Sequence, residues 1–310
     1  MSNFVWSKTS NPLKTFSNFL QYILGNWASI SCDSTGTTVA VVNTYLPVNQ
    51  IFISKNSGSS WTNLTTPIGN VNLSQVIITP NGTNLCLTAF NHALYVSNNS
   101  GSKWDEYLTD SSVYNCSAYS SNGEIILVNC SSGKNLQLSI NSGINFNIIS
   151  SIPSDSWNSL TMNSSGTIMA ACSRDGYCYI SNNTGNTWFN SSLPSNQWNS
   201  ISMDSTGNNI VICSLNGYIY FSNNAGIDWA SCSASNLVWN NIYISLNANI
   251  IFATATNSNN IYYSTNYGSN WATTSPTNYS TNWGGICCNN DGSIVYTCIN
   301  GGYIYIGTMN

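Results

Sequence analysis

The chain has 310 residues, of which 42% are hydrophobic and only 5% charged, with a formal net charge of −4. Six Lys plus Arg cannot neutralise a run of phosphates, because each contacted phosphate takes its own cation; no direct nucleic-acid binding is expected, and a polybasic membrane patch is excluded. With 11 Trp and 18 Tyr there is ample material for a core, so the low charge does not read as disorder, and Asn, Ser and Thr are left to wet the surface.

In chain order, the start Met1–Ser10 lacks the basic and apolar regions of a signal peptide, and no run is long enough to span a membrane, which predicts an intracellular protein. Residues 3–9, with Phe4-Val-Trp6-Ser-Lys8, read as a strand. Residues 11–24 follow as an insertion in which Phe16, Phe19, Leu20, Ile23 and Leu24 recur at i, i+3, i+4, i+7, i+8, one face of a short helix. From Trp27 onward the chain is periodic. The phrase Ser-x-Asn-x-Gly-x-x-Trp stands first at Ser54 to Trp61 and returns from Ser97, Ser139, Ser181, Ser222 and Ser264, at intervals of 41 to 43 residues. Its fixed residues are Asn56, Gly58 and Trp61; Asn99, Gly101 and Trp104; Asn141 and Gly143, with Phe146 for Trp; Asn183, Gly185 and Trp188; Asn224, Gly226 and Trp229; Asn266, Gly268 and Trp271.

Each repeat predicts four strands. In the fifth, strand A is Trp198–Met203, a turn follows at Asp204–Gly207, strand B is Ile210–Cys213, and an Asn216-Gly217 turn leads to strand C, Tyr218–Phe221. The box comes next and its Trp opens strand D. Glycine at the fifth box position supplies a backbone conformation that other residues resist, and the Asn side chain can bind the turn amides. A last copy is split: Tyr303-Ile-Tyr-Ile-Gly307 matches strand C, the chain ends at Asn310, and the missing Trp strand is at residues 3–9. These features predict one all-β domain over 1–310. It is a seven-bladed β-propeller of four-stranded antiparallel blades whose last blade is closed by the N-terminal strand.

The boxes make the sequence resemble the Asp-box, or BNR, repeat propellers, a group that includes sialidases, some glycanases, photosystem assembly factors and sorting receptors. The resemblance covers nearly the whole chain. It implies boxes that lie at the blade periphery and serve structure. Asn stands in all six complete boxes where the family usually has Asp, which keeps the turn bond and drops a charge.

The residues argue against catalysis. A sialidase grips its substrate carboxylate with three arginines, and this chain has only Arg174. A glycosidase needs two facing carboxyls, but Asp33, Asp204 and Asp291 sit in A–B turns, where Asp is an ordinary turn residue. Asp105, Glu106 and Asp110 share the loop after Trp104, as a solvated loop or a shallow cation site. His92, the one histidine, lies in a B–C turn without an orienting partner. The eleven cysteines contain no CxxC pair, so no zinc site, no other metal and no cofactor is expected. Cys130, Cys172, Cys213 and Cys298 each stand nine residues before a box position, on strand B, as packing residues; Cys287-Cys288 places neighbouring thiols on opposite faces of a strand.

The expected function is therefore a structural or protein-interaction propeller. Phe16, Phe19, Leu20, Ile23 and Leu24 are the candidate contact with another protein, either a second copy or another component of a particle; the alternative is that they plug the channel mouth. The Asn-rich, charge-poor composition resembles proteins of giant DNA viruses of amoebae, which implies a virion component. A glycan-binding lectin is the second reading, and an Asp-box glycoside hydrolase a distant third.

Overall fold

The structure, a computed structural model, describes residues 4–10, 25–44, 50–64, 72–90, 93–108, 114, 116–129, 135–279 and 281–310. The insertion at 11–24, with Phe16, Phe19, Leu20, Ile23 and Leu24, lies outside the described residues, as do His92, Asp110 and Cys130.

The described residues form 28 strands and no helix. The chain opens with β1 (Phe4–Lys8) and then repeats a four-strand unit. The first is β2 (Gly25–Cys32), β3 (Val39–Asn43), β4 (Gln50–Ser54) and β5 (Thr62–Leu64); the second is β6 (Asn72–Ile78), β7 (Leu85–Phe90), β8 (Leu94–Ser97) and β9 (Asp105–Tyr107). The third is β10 (Ser117–Tyr119), β11 (Ile126–Val128), β12 (Gln137–Ser139) and β13 (Asn147–Ile148); the fourth is β14 (Trp157–Met162), β15 (Met169–Ser173), β16 (Cys178–Ser181) and β17 (Phe189–Asn190). The fifth is β18 (Trp198–Met203), β19 (Ile210–Ser214), β20 (Ile219–Ser222) and β21 (Ala230–Ser231); the sixth is β22 (Trp239–Ile244), β23 (Ile251–Ala255), β24 (Ile261–Ser264) and β25 (Ala272–Thr274). The chain ends with β26 (Trp283–Cys288), β27 (Ile294–Gly302) and β28 (Ile304–Met309).

Units two to six are separate four-stranded antiparallel sheets in sequence order. The first unit joins β26–β28 and β1 in one eight-stranded sheet, in which β1 is the outer neighbour of β28, with Phe4 opposite Met309 and Lys8 opposite Tyr305. The junction is short: Gly25 pairs with Gly302 and Asn26 with Asn300. The same bridge recurs between separate sheets as Gly176 with Asn196 and Ser258 with Thr281. Gly25, Asn196 and Thr281 each stand two residues before a strand-A Trp.

Strand B is apolar and closed to water on both faces, as in Val39–Val42, Ile210–Cys213 and Ile251–Ala253. That is why its sequence reads as a continuous run rather than an alternation. Cys172, Cys213 and Cys298 occupy this strand and are fully buried. The opening Trp27, Trp157, Trp198, Trp239 and Trp283 are buried between sheets. Trp27, Trp239 and Trp283 donate their indole N–H across the seam, to the carbonyls of Gly302, Gly217 and Ser258.

Two details differ from the sequence reading. Strand D begins one residue past the box Trp, as in β21 after Trp229, because the Trp still belongs to the turn: Trp188, Trp229 and Trp271 donate to the carbonyls of Gly185, Gly226 and Gly268. Asp105 and Glu106 stand on strand β9 rather than in a loop.

Candidate functional site

Each A strand packs beside the next: β2 on β6, β6 on β10, β10 on β14, β14 on β18, β18 on β22, β22 on β26, and β26 on β2. Together they line a central channel of about 370 Å3. An innermost strand has an unpaired edge, and its amides need acceptors. Here side chains of the preceding sheet supply them. Counting the opening aromatic (Leu73 in the second unit) as residue one, the third residue accepts from the next strand's fourth amide: Ser29 from Val76 (3.2 Å), Gln75 from Ser117 (2.7 Å), Ser159 from Ile201 (3.2 Å) and Ser200 from Ile242 (3.2 Å). The fifth residue repeats this, Ser31 accepting from the Ile78 amide and Ser202 from the Ile244 amide. The second residue donates to the next opening carbonyl, as Ser74 to Tyr114, Asn158 to Trp198, Asn199 to Trp239 and Asn240 to Trp283. At the last seam this residue is Gly284, where a Cβ would overlap the Trp27 carbonyl oxygen. Much of the polar lining of the channel is therefore committed to joining sheets.

The A–B turns are equally regular. In each, one polar side chain accepts the amide five residues on: Asp33 from Thr38, Thr79 from Asn84, Ser120 from Ile125, Asn163 from Ile168, Asp204 from Asn209, Ser245 from Ile250 and Asn289 from Ile294. Asp33 and Asp204, the carboxylates that reach the channel rim, thus do the work that Ser, Thr or Asn does elsewhere. Asp291 accepts from Ser293, whose hydroxyl and amide hold its carboxyl below the usual carboxylate range. The turns also clasp one another through backbone bonds from Ser34 to Pro80, Ser121 to Ser164, Ser164 to Ser205, Ser205 to Leu246, Asn247 to Asn290 and Asn290 to Ser34. The gap in this girdle falls after Pro80, which has no N–H to donate.

The predicted box residues are in the outer C–D turns. In all six, the Asn carboxamide oxygen accepts the box serine hydroxyl and the amide four residues on, as Asn183 does from Ser181 (3.1 Å) and Thr187 (2.9 Å). The box serine, which marks each copy in the sequence, is the hub: its buried hydroxyl accepts the box glycine amide at 2.8–2.9 Å in every copy. The residue before the glycine is also left-handed, from Ser57 at φ 54° to Ser142 at φ 59°. In the split copy, Trp6 lies opposite Gly307, and a Cβ at Gly307 would stand 2.9 Å from its ring.

Among the remaining acids, Asp105 pairs with Lys103 at 3.3 Å on the surface, and Glu106 accepts the Tyr95 hydroxyl at 3.3 Å. Among the described residues no cluster of His, Cys, Asp or Glu could hold a metal ion, and no helix is long and apolar enough to cross a membrane. The described cysteines are all free thiols. Burial pushes those of Cys86 and Cys178 up to about 12.

One surface feature had no sequence signal beyond its departure from the repeat. Ile140, Ile144 and Ile148 in the third unit are 63%, 66% and 67% exposed. The other boxes carry Lys55, Asn98, Asn182, Asn223 or Thr265 at the place of Ile140, and Asn63, Glu106, Asn190, Ser231 or Thr273 at the place of Ile148. Ile140 and Ile148 line a groove of about 380 Å3 that runs to Thr184 and Asn186 in the next box. No charged residue lines it.

No protein-family model matches the chain, and no curated protein matches it in sequence. Solved structures do. YCF48 from Cyanidioschyzon merolae aligns at a TM-score of 0.72 and 12% identity, over 98% of this chain and 98% of that one. The GH74 xyloglucanase from Xanthomonas campestris aligns at a TM-score of 0.72 and 12% identity, over 98% of this chain and 53% of that one. Both neighbours are β-propellers, and at this identity the likeness establishes the fold alone: the chain is an all-β propeller of four-stranded antiparallel sheets.

Proposed function

We propose that the chain is a seven-bladed propeller of the Asp-box type, closed into a ring by β1, and that it acts without catalysis, through contact with other protein. The blade count rests on treating the eight-stranded sheet as two blades. Its Gly25–Gly302 junction matches the bridges between separate sheets, and the A-strand contacts return from β26 to β2. The Asp-box assignment rests on the bond pattern shared by the six boxes.

The observation that carries the functional reading is the isoleucine patch. It breaks the repeat at the two places described above, and it gathers three exposed isoleucines within one unit. Its occupant in this reading is a second copy of the chain, whose charge-poor surface meets an uncharged groove with little charge repulsion. Burying three such side chains contributes on the order of 4 kcal/mol before the cost of association. One patch alone therefore gives weak pairing, and the setting that makes it effective is a repeated assembly such as a virion, with the 11–24 segment as a further contact. The double variant Ile140→Ser with Ile148→Ser tests this by sedimentation. The proposal expects smaller species at unchanged melting temperature; unchanged size, or dependence of size on a different protein component, counts against self-association.

The exposed Tyr177 and Tyr218, at matching B–C turns of adjacent sheets, favour a glycan-binding reading as the alternative. Binding of one sugar class on a glycan array, lost in Tyr218→Ala, supports that reading over the first.

A further inference from the structure

The seam between β26 and β2 carries sulfur where two other seams carry a hydroxyl. At those seams the fifth residue of strand A lies beside the sixth residue of the next strand: the Ser31 hydroxyl accepts the Ile78 amide at 3.1 Å, and the Ser202 hydroxyl the Ile244 amide at 3.2 Å. Counted from Trp283 and Trp27, the same places are Cys287 and Cys32. The register is fixed two residues earlier. A Cβ on Gly285 would stand 3.3 Å from the Ile30 amide nitrogen, which puts Gly285 where Ser29, Ser159 and Ser200 lie at their seams. Cys287 and Cys32 share one buried cluster, and both line the channel.

A thiol is a weak acceptor, so cysteine here gives up the hydroxyl bond that the other seams use. Packing alone needs only one small residue. Two thiols in register, at the seam farthest apart in sequence and in the wall of the channel, allow more.

We propose that Cys32 and Cys287 form a disulfide by exchange with a small disulfide of the oxidised-glutathione class that reaches them along the channel, and that this bond staples the innermost strands of the first and last sheets. One protein thiolate attacks the small disulfide, forming a mixed disulfide and releasing one reduced thiol. The second protein thiol loses its proton and displaces the other half. Two protein thiols thereby give two electrons and two protons to one small disulfide, which leaves as two thiols. The bond encloses residues 32–287, so it restricts the unfolded chain over most of its length. Cys172 and Cys178 provide an internal contrast: they lie opposite each other on β15 and β16 but are fully enclosed and away from the channel.

The test exposes the full chain to oxidised glutathione, caps free thiols, and maps an unreduced chymotryptic digest by mass spectrometry. The expected product joins the Cys32 and Cys287 peptides, raises the melting temperature by about 5 °C, and reverts on reduction. Cys287→Ser should melt like the reduced protein, since its hydroxyl can accept as Ser202 does, and should lose both the cross-link and the oxidative rise. Linkage of Cys172 to Cys178, a mixed disulfide on Cys232 alone, or ten unreacted thiols among those described would each overturn the proposal.

Discussion

At the residue scale, the box shows how much a repeated motif can hide. The Asn and Gly stand out in the sequence because their roles follow from side-chain reach and positive φ. The serine opens every copy too, but its role is hidden, because nothing in the sequence shows its hydroxyl turned inward onto the glycine amide. The structure separates them: Ser181 is fully buried and accepts the Gly185 amide, while Asn183 is exposed. Removing the serine hydroxyl leaves a buried N–H unpaired, whereas water can replace part of the Asn183 contact. Ser181→Ala should therefore cost about 2 kcal/mol and Asn183→Ala about 1 kcal/mol, measured by denaturant unfolding. The reverse order would show that the carboxamide, not the hydroxyl, organises the turn. The turn acids were legible in the sequence as turn residues, because Asp accepts its own turn's amides much as Ser and Asn do at matching sites.

At the element scale, strand B was legible from its apolar runs and strand A from its opening Trp. The seams were not legible. Whether Ser159 faces water or the Ile201 amide depends on how adjacent sheets are placed, and no period within one repeat encodes that. The isoleucine patch was hidden for the opposite reason: Ile140, Ile144 and Ile148 fit a strand-and-turn pattern, and only comparison across copies with exposure known makes Ile140 and Ile148 unusual. The seams also predict which glycine is indispensable. Gly284→Ala would force its methyl into the Trp27 carbonyl oxygen, with backbone on one side and a buried sheet on the other. It should lower the melting temperature by about 5 °C or more. An unchanged melt would mean that β26 and β2 do not approach as described.

At the scale of the whole molecule, buried thiols make stability depend on pH on one side only. Burial raises Cys86 and Cys178 to about 12, and drives Cys116, Cys213 and Cys298 further up. Below the unfolded thiol value of about 8.5, both states hold these protons and they add no pH dependence. Above it the unfolded chain releases protons that the folded chain retains. Stability then falls by about 1.4 kcal/mol per pH unit for each such thiol, until the folded values are passed. The melting temperature should be nearly flat from about pH 6 to 8 and drop steeply above about pH 9; a flat profile to pH 10 would argue that these thiols are hydrated.

In the proposed ring, the first strand closes the last blade. β1 supplies the outer strand beside β28, and Phe4 packs edge-on against Phe252 and Tyr263 at 5.6 and 5.1 Å, while the Trp6 indole N–H donates to Thr274 at 2.7 Å. Removing residues 1–9 takes away that strand together with its hold on the sixth unit. Calorimetry of the truncated chain beside the full one is the direct measurement. The account predicts a single transition at least about 10 °C lower, or a broadened unfolding in which the last sheet melts first. A truncated chain that melts at the same temperature, in one equally sharp transition, would contradict it.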